Sequence, residues 1–242
     1  QALEGEKGDS TVSIMKSNGG IVGSSVAVRQ PVHTALSGPA AGVMATLQIA
    51  ESTGVLNCIS FDMGGTSTDV SLIKERHPTT NLGGNLGDWP IQLPMLDIVT
   101  IGCGGGSIAA VSASGVLSVG PTSAGAVPGP VCYGNGGTAP TVTDANLVLG
   151  RLLSTARLAG DLPVDLSAAR RAVGLLAEQL ELSTEETALG IVRIATEHMA
   201  RAIRMISVNR GHSADDFLLA SFGGAGGLHV CAVAEAMGMT RA

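Results

Sequence analysis

Phe61-Asp62-Met63-Gly64-Gly65-Thr66-Ser67-Thr68-Asp69-Val70 joins the end of an apolar run to a Gly-Gly turn crowded with hydroxyls and flanked by two carboxylates. The run Val55 to Phe61 reads as a buried strand and Val70 to Ile73 as its partner, so the loop closes a tight hairpin at a strand end. Glycines let a backbone come close to an anion with its N–H groups aimed at it, and Thr66, Ser67 and Thr68 add hydroxyl donors. Asp62 has the chemistry to hold a magnesium ion or its water, and Asp69 supplies a second carboxylate. The word reads as a phosphate loop; an Asp/Gly/Thr hairpin without a ligand is the plainer alternative.

Two further glycine clusters follow. Gly102-Cys103-Gly104-Gly105-Gly106-Ser107 comes after the apolar Ile98-Val99, and Phe222-Gly223-Gly224-Ala225-Gly226-Gly227-Leu228-His229 follows the strand-like Phe217 to Ser221. In the second cluster a strand runs into Gly-Gly and then into an apolar helix, Leu228 to Met237. That geometry admits an adenine or ribose at a helix N-terminus. A strand-to-helix turn that needs small residues only for packing is the other reading.

These words, together with Ser17-Asn18-Gly19-Gly20, Ser37-Gly38-Pro39-Ala40-Ala41-Gly42, Pro128-Gly129-Pro130, Cys132-Tyr133-Gly134 and Pro140 to Asn146, make nearly the whole chain resemble the hydantoinase A and 5-oxoprolinase family. The departures are small: Gly227 stands where the family usually has proline, and Cys103 where it usually has alanine. The resemblance implies an α/β fold, the actin-like ATPase lobe of sugar kinases and heat-shock chaperones, with a mixed sheet flanked by helices. It implies ATP and Mg2+ as cofactors, Asp62 and Asp69 as catalytic carboxylates with Asp62 on the metal, and nucleotide contacts from Gly64, Gly65, Thr66, Ser67, Thr68, Gly104, Gly105, Gly106, Ser107, Gly223, Gly224 and Gly226. The implied reaction is phosphorylation of a cyclic amide carbonyl of the hydantoin or 5-oxoproline type before ring opening, shared with a hydantoinase B-type subunit or domain. Related subunits serve ATP-dependent ketone carboxylases, and a small-molecule kinase or a non-catalytic nucleotide switch shares the fold.

The family's first phosphate loop has no second copy here, and the chain opens on Gln1-Ala2-Leu3-Glu4 and stops at Thr240-Arg241-Ala242, so an internal piece of a longer protein is expected. Within it, residues 1–54 are expected to end a preceding lobe with a connecting helix, and 55–242 to form the second lobe.

With 242 residues, 45% of them hydrophobic, the chain has ample material for a core. Its 34 glycines and 2% aromatics point to aliphatic packing with closely approaching backbones. A net charge of −6 argues against a nucleic-acid partner, and no apolar run reaches the length of a membrane span. Cys58, Cys103, Cys132 and Cys231 are widely spaced without a Cys-x-x-Cys pair, which fits a reducing, cytoplasmic setting.

Helices are expected at Pro39 to Ser52, with Ser37 as cap and Gly54 as stop, at Thr143 to Leu153, at Asp165 to Leu180, and from Thr184 to Asn209 behind a Ser183/Glu186 capping box. In the last, Ala188, Ile191, Ala195, Met199, Ala202 and Ile206 mark a buried face, and Arg193, Glu197 and Arg201 an i,i+4 ladder in solvent. The Gly/Pro-rich stretch 120–140 is expected as an ordered loop near the site. Asp144 and Asn146 are open between a helix cap and the cleft, Asp97 between a turn cap and a cation, and His198 and His229 read as structural or exposed.

Overall fold

The computed structural model describes residues 12–86, 89–158 and 160–242. They fall into two compact units: the chain up to Ser60 with Ser71–Ile98, and Phe61–Val70 with Val99–Ala242. Gly54 and Val55, either side of the expected lobe boundary, both belong to the first unit.

The first unit opens with an antiparallel pair, β1 (Ser13–Met15) and β2 (Ile21–Gly23), followed by helices α1 (Ser24–Arg29) and α2 (Ser37–Thr53). Helix α2 buries Ala40, Val43 and Ala50, packs against β1, and stops at Gly54, as its sequence indicates. Ser37 is not its cap. The helix already includes Ser37, and Leu36 precedes it in the left-handed region (φ 60°) with no side-chain cap, its carbonyl accepting from Ala40 N at 3.0 Å. Pro39 then sits within the first turn, where a missing N–H leaves nothing unsatisfied.

Strand β3 (Cys58–Met63) begins three residues later than its apolar run suggests, and β4 (Thr68–Lys74) follows after the four-residue connection Gly64–Ser67. Short strands come next: β5 (His77–Pro78) pairs with β4, while β6 (Thr80–Asn81), β7 (Gly84–Leu86), β8 (Trp89–Ile91) and β9 (Met95–Leu96) form the pairs β6–β9 and β7–β8.

From Val99, the second residue of β10 (Ile98–Ile101), onward the chain builds the second unit. Strands β11 (Ser107–Val111) and β12 (Leu117–Ser123) form a hairpin with an irregularity between Ser107 and Ala109. Helix α3 (Val142–Val148), the strand pair β13 (Arg157–Leu158) and β14 (Leu162–Pro163), helices α4 (Leu166–Leu180) and α5 (Thr184–Ile206), strand β15 (Leu218–Phe222) and helix α6 (Gly226–Ala236) complete it. The sheet runs in the order β10-β4-β3-β15.

Helix α5 is the spine of this unit. Its six apolar positions named from the sequence are all fully buried, and it packs against α3, α4, α6 and β12. Truncating one of them, such as Met199, would cost about 2–5 kcal/mol. The capping box forms as read: Glu186 N donates to Ser183 Oγ at 3.2 Å and Ser183 N to Glu186 Oε2 at 2.9 Å. The solvated ladder does not pair as read. Glu197 meets Arg204 at 3.7 Å, and Arg193 and Arg201 are exposed without an ion pair among the described residues. Helix α5 ends at Ile206, short of Asn209, because Ser207 leaves helical geometry and bonds its hydroxyl back to Ile203 O at 2.6 Å. Likewise α3 ends at Val148 rather than Leu153, with Gly150 turning the chain at φ 70°.

Candidate nucleotide site

The connection between β3 and β4 closes on itself through Gly64 N donating to Ser67 O at 3.0 Å. The amides of Gly65, Thr66 and Ser67 make no hydrogen bond among the described residues, and Gly65 and Thr66 are exposed. Three neighbouring N–H groups with no internal partner among the described residues have the chemistry to receive an anion. The hydroxyls of Thr66 and Ser67 likewise have no partner among the described residues, whereas Thr68 is fully buried and donates to Cys103 O. Thr68 therefore anchors the loop instead of offering a third hydroxyl.

Asp62 and Asp69 stand at the two ends of this loop. Burial pushes the Asp62 carboxyl above the ordinary carboxylate value, and the neighbouring Asp69 charge adds to the shift. Burial raises Asp69 as well, opposed by the hydroxyl of Thr100, which donates to its Oδ1. A carboxylate such as Asp62, disfavoured by burial and by a neighbouring carboxylate, is relieved by a cation. Among the described residues no three metal-ligating side chains cluster. A magnesium ion suits such a sparse set, since it is held by one or two carboxylates with phosphate oxygens and water completing its shell.

The second glycine word lies against the first. Gly105 N donates to Gly64 O at 3.0 Å, Gly106 N to Gly65 O at 2.6 Å, and Gly104 N to Ser107 Oγ at 2.9 Å. A side chain on Gly104 would lie 2.7 Å from the Gly65 carbonyl carbon and Thr66 N, so only glycine allows this approach. Gly104, Gly105, Gly106 and Ser107 are thus brought to the loop as expected, but their polar groups are spent on the protein. The third word meets the same place. Gly223, at φ 82°, lies where a side chain would strike Asp62 and Met63, Ala225 N donates to Met63 O at 2.9 Å, and Gly226 opens α6 against Ser221. Gly224 faces open space.

Backbone from all three words lines one cleft of about 250 Å³, at Gly64, Gly65, Gly105, Gly224 and Ala225. Leu152, Leu158 and Leu228 give it apolar walls, with Tyr133 and Thr143 as the polar side chains. Thr143 ties the cleft to its backing, since its N–H and its hydroxyl both donate to Gly105 O at 2.8 Å. The stretch 120–140 is not a loop throughout: residues 120–123 end β12 and Val131–Tyr133 form a 3-10 turn, while the connection after β12 abuts the site, with Ala124 N donating to Gly106 O at 2.9 Å. Sequence reasoning did not name Tyr133, Thr143, Leu152 or Leu158 as site residues. The words Cys132-Tyr133-Gly134 and Pro140 to Asn146 carried the signal for the first two.

The family model described as Hydantoinase/oxoprolinase matches residues 1–242. The chain belongs to this family. It is 43% identical to the caprolactamase subunit alpha of Pseudomonas jessenii over 92% of its own length and 32% of that protein's. It is 42% identical to 5-oxoprolinase 1 of Arabidopsis thaliana, covering 98% of this chain and 20% of that one. A solved acetone carboxylase, captured nucleotide-free in work on ATP-dependent acetone carboxylation, superposes with a TM-score of 0.88 at 27% identity, over 98% of this chain and 34% of the other. The chain therefore spans between about a fifth and about a third of the length of these relatives, and its fold is the α/β, actin-like ATPase lobe that its glycine words indicate.

Several residues of this hydantoinase-family chain take roles that the sequence left open. Asp144 is a structural anchor: fully buried, it accepts from Cys132 N and Thr141 N at 2.8 Å and from Val131 N at 3.2 Å, holding the loop onto α3. Asp97 lies in the first unit and accepts from Asn81 Nδ2 at 3.3 Å. Asn146 is buried and hydrogen-bonded to the equally buried His229. His198 lines a separate cleft of about 510 Å³ along α5 with Arg201. Cys103 is an inert core thiol, pushed by burial up to about 11, while Cys231 is exposed on α6. Among the described residues no helix is long and apolar enough to cross a membrane.

Proposed function

We propose that residues 55–242 form the nucleotide-binding portion of an ATP-dependent enzyme that activates the carbonyl of a cyclic amide for ring opening. The observation that carries this reading is the cleft in which the three glycine words meet beside the Asp62–Asp69 pair. A lactam carbonyl resists water because nitrogen density is delocalised into it. Bound ATP with Mg2+ supplies a phosphoryl group that makes the carbonyl oxygen a leaving group.

The chain's own residues position and neutralise. The amides of Gly65, Thr66 and Ser67, unpartnered among the described residues, present donors to phosphate oxygens, and the backing loop keeps them rigid so that no reorganisation is needed as charge develops. Asp62 is the carboxylate for the metal, with Asp69 held beside it by Thr100. The apolar walls at Leu152, Leu158 and Leu228 suit a nucleobase, and Gly224 leaves room for its ribose. The likeness to acetone carboxylase supports a second reading, a subunit of an ATP-dependent ketone carboxylase.

The test is phosphate release by the full-length protein together with its B-type partner. We expect ATP hydrolysis that depends on a cyclic amide such as a hydantoin or 5-oxoproline. Stimulation by a ketone with bicarbonate instead selects the second reading. Failure of the assembled wild type to bind Mg-ATP in a calorimetric titration overturns both.

A further inference from the structure

We infer that Asn146 and His229 form a clasp that fixes the width of the nucleotide cleft, which makes them positioning residues for the bound nucleotide. This rests on the nucleotide reading of the cleft given above. The geometry behind it is a closed circuit of hydrogen bonds around the cleft. Gly64 O accepts from Gly105 N at 3.0 Å, and Gly105 O accepts from Thr143 N at 2.8 Å. Thr143 and Asn146 lie in one turn of α3, and Asn146 Nδ2 meets His229 Nε2 at 3.0 Å. His229 lies one turn beyond Ala225, the residue capping α6, and Ala225 N donates to Met63 O at 2.9 Å, one residue from the starting point. Gly64, Gly105, Thr143 and Ala225 all line the cleft. Every other link in the circuit is backbone to backbone or follows the chain. The Asn146–His229 link alone is made by two side chains, from residues 83 positions apart.

The orientation of the pair is determined. Asn146 Nδ2 also donates to Val142 O at 2.9 Å, which fixes the amide nitrogen on that side and makes His229 Nε2 the acceptor. His229 is therefore a neutral imidazole with its proton on Nδ1, and burial with the nearby Arg151 charge holds its pKa down at about 4. The pair is costly. Asn146 Oδ1 and His229 Nδ1 are buried with no partner among the described residues, and each such group costs about 1–3 kcal/mol. Apolar side chains of similar volume would join α3 to α6 without that cost, but they would tolerate sliding. A directional hydrogen bond in a dry interior specifies one separation.

Steady-state kinetics of the full-length protein with its partner test the clasp, using His229→Leu, Asn146→Leu, the double variant and His229→Gln. Each leucine variant is expected to raise the KM for ATP about tenfold while leaving the KM for the second substrate unmoved. The double variant should be no worse than either single one, because both remove the same bond. Glutamine at 229 keeps an acceptor for Asn146 and should return the ATP constant to within about twofold of wild type. Leucine variants that melt earlier yet keep the wild-type ATP constant overturn the clasp, as do strictly additive effects. Should the leucine variants not fold, Asn146→Gln decides, since it keeps the amide and lengthens the link by one methylene: a raised ATP constant is expected and an unchanged one overturns the inference. A wild type that binds no nucleotide removes the nucleotide reading and the clasp together. A wild type that binds, beside variants with unaltered constants, removes the clasp alone.

Discussion

Gly64–Ser67 and Gly104–Ser107 are made of the same kinds of residue and lie against one another, yet they use their backbones in opposite ways. In the first, three consecutive amides have no internal partner among the described residues and two of the residues are exposed. In the second, the amides of Gly104, Gly105 and Gly106 are all consumed, two of them by carbonyls of the first loop. One glycine word is open to a ligand, and the other exists so that a second backbone can come close enough to brace it. Composition cannot tell these uses apart, because glycine serves both; the difference lies in where each N–H goes.

The sharpest way to break this contrast is to remove the charge at the open loop. Asp62→Ala in the full-length enzyme should lower ATP-dependent turnover by at least about a hundredfold with little change in thermal unfolding. Near-normal turnover at saturating magnesium would take Asp62 out of the site. Gly104→Val attacks the brace. Its side chain would meet the Gly65–Thr66 peptide, and overpacking there should cost about 3 kcal/mol, read in a denaturant titration. Unaltered stability would mean that the two loops are not locked together.

The third word contains both uses in adjacent residues. Gly224→Val projects into the cleft without a backbone penalty and should raise the KM for ATP about tenfold, or ~1.4 kcal/mol, at constant melting temperature. Gly223→Val must overcome both a positive φ and the Asp62 contact, so it should lose folded protein first. Equal behaviour of the two variants would erase the distinction.

The smallest effect is electrostatic. Asp69 has its folded pKa raised, so it favours the folded state below the ordinary carboxylate value, and that benefit is lost as pH rises through the raised value. Asp69→Asn should therefore melt about 2 °C higher than wild type at about pH 7 in the absence of ligand, with the gap gone at about pH 3. A gap that persists in acid would exclude the charge as its cause.

Local chemistry was legible in the sequence and distant pairing was not. The Ser183 capping box and the stripe from Ala188 to Ile206 depend on neighbours within one or two helical turns, and both form as read. The glycine words named the three strand ends that converge on one cleft. Ser37 misled because a cap depends on the backbone of the residue that enters the helix, and Leu36 adopts a left-handed conformation that few would assign to leucine. Thr68 resembled its neighbours Thr66 and Ser67, but strand alternation turns it inward to Cys103, 35 positions away. Glu197 had three arginines in reach, and side-chain packing chose Arg204. Asn146 and His229 carry no joint signature at all, since nothing short of the fold brings α3 beside α6.

The four cysteines offer a practical route into this site. Cys58 and Cys103 are buried with thiols pushed up to about 11, and burial raises Cys132 further, so none of the three presents a ready thiolate. Cys231 is exposed, two residues beyond His229 on the helix that supplies Leu228 to the cleft. Among the described residues Cys231 is thus the one exposed attachment point for a thiol-reactive fluorophore, on the element whose setting matters most, and an emission change on adding nucleotide would report that helix.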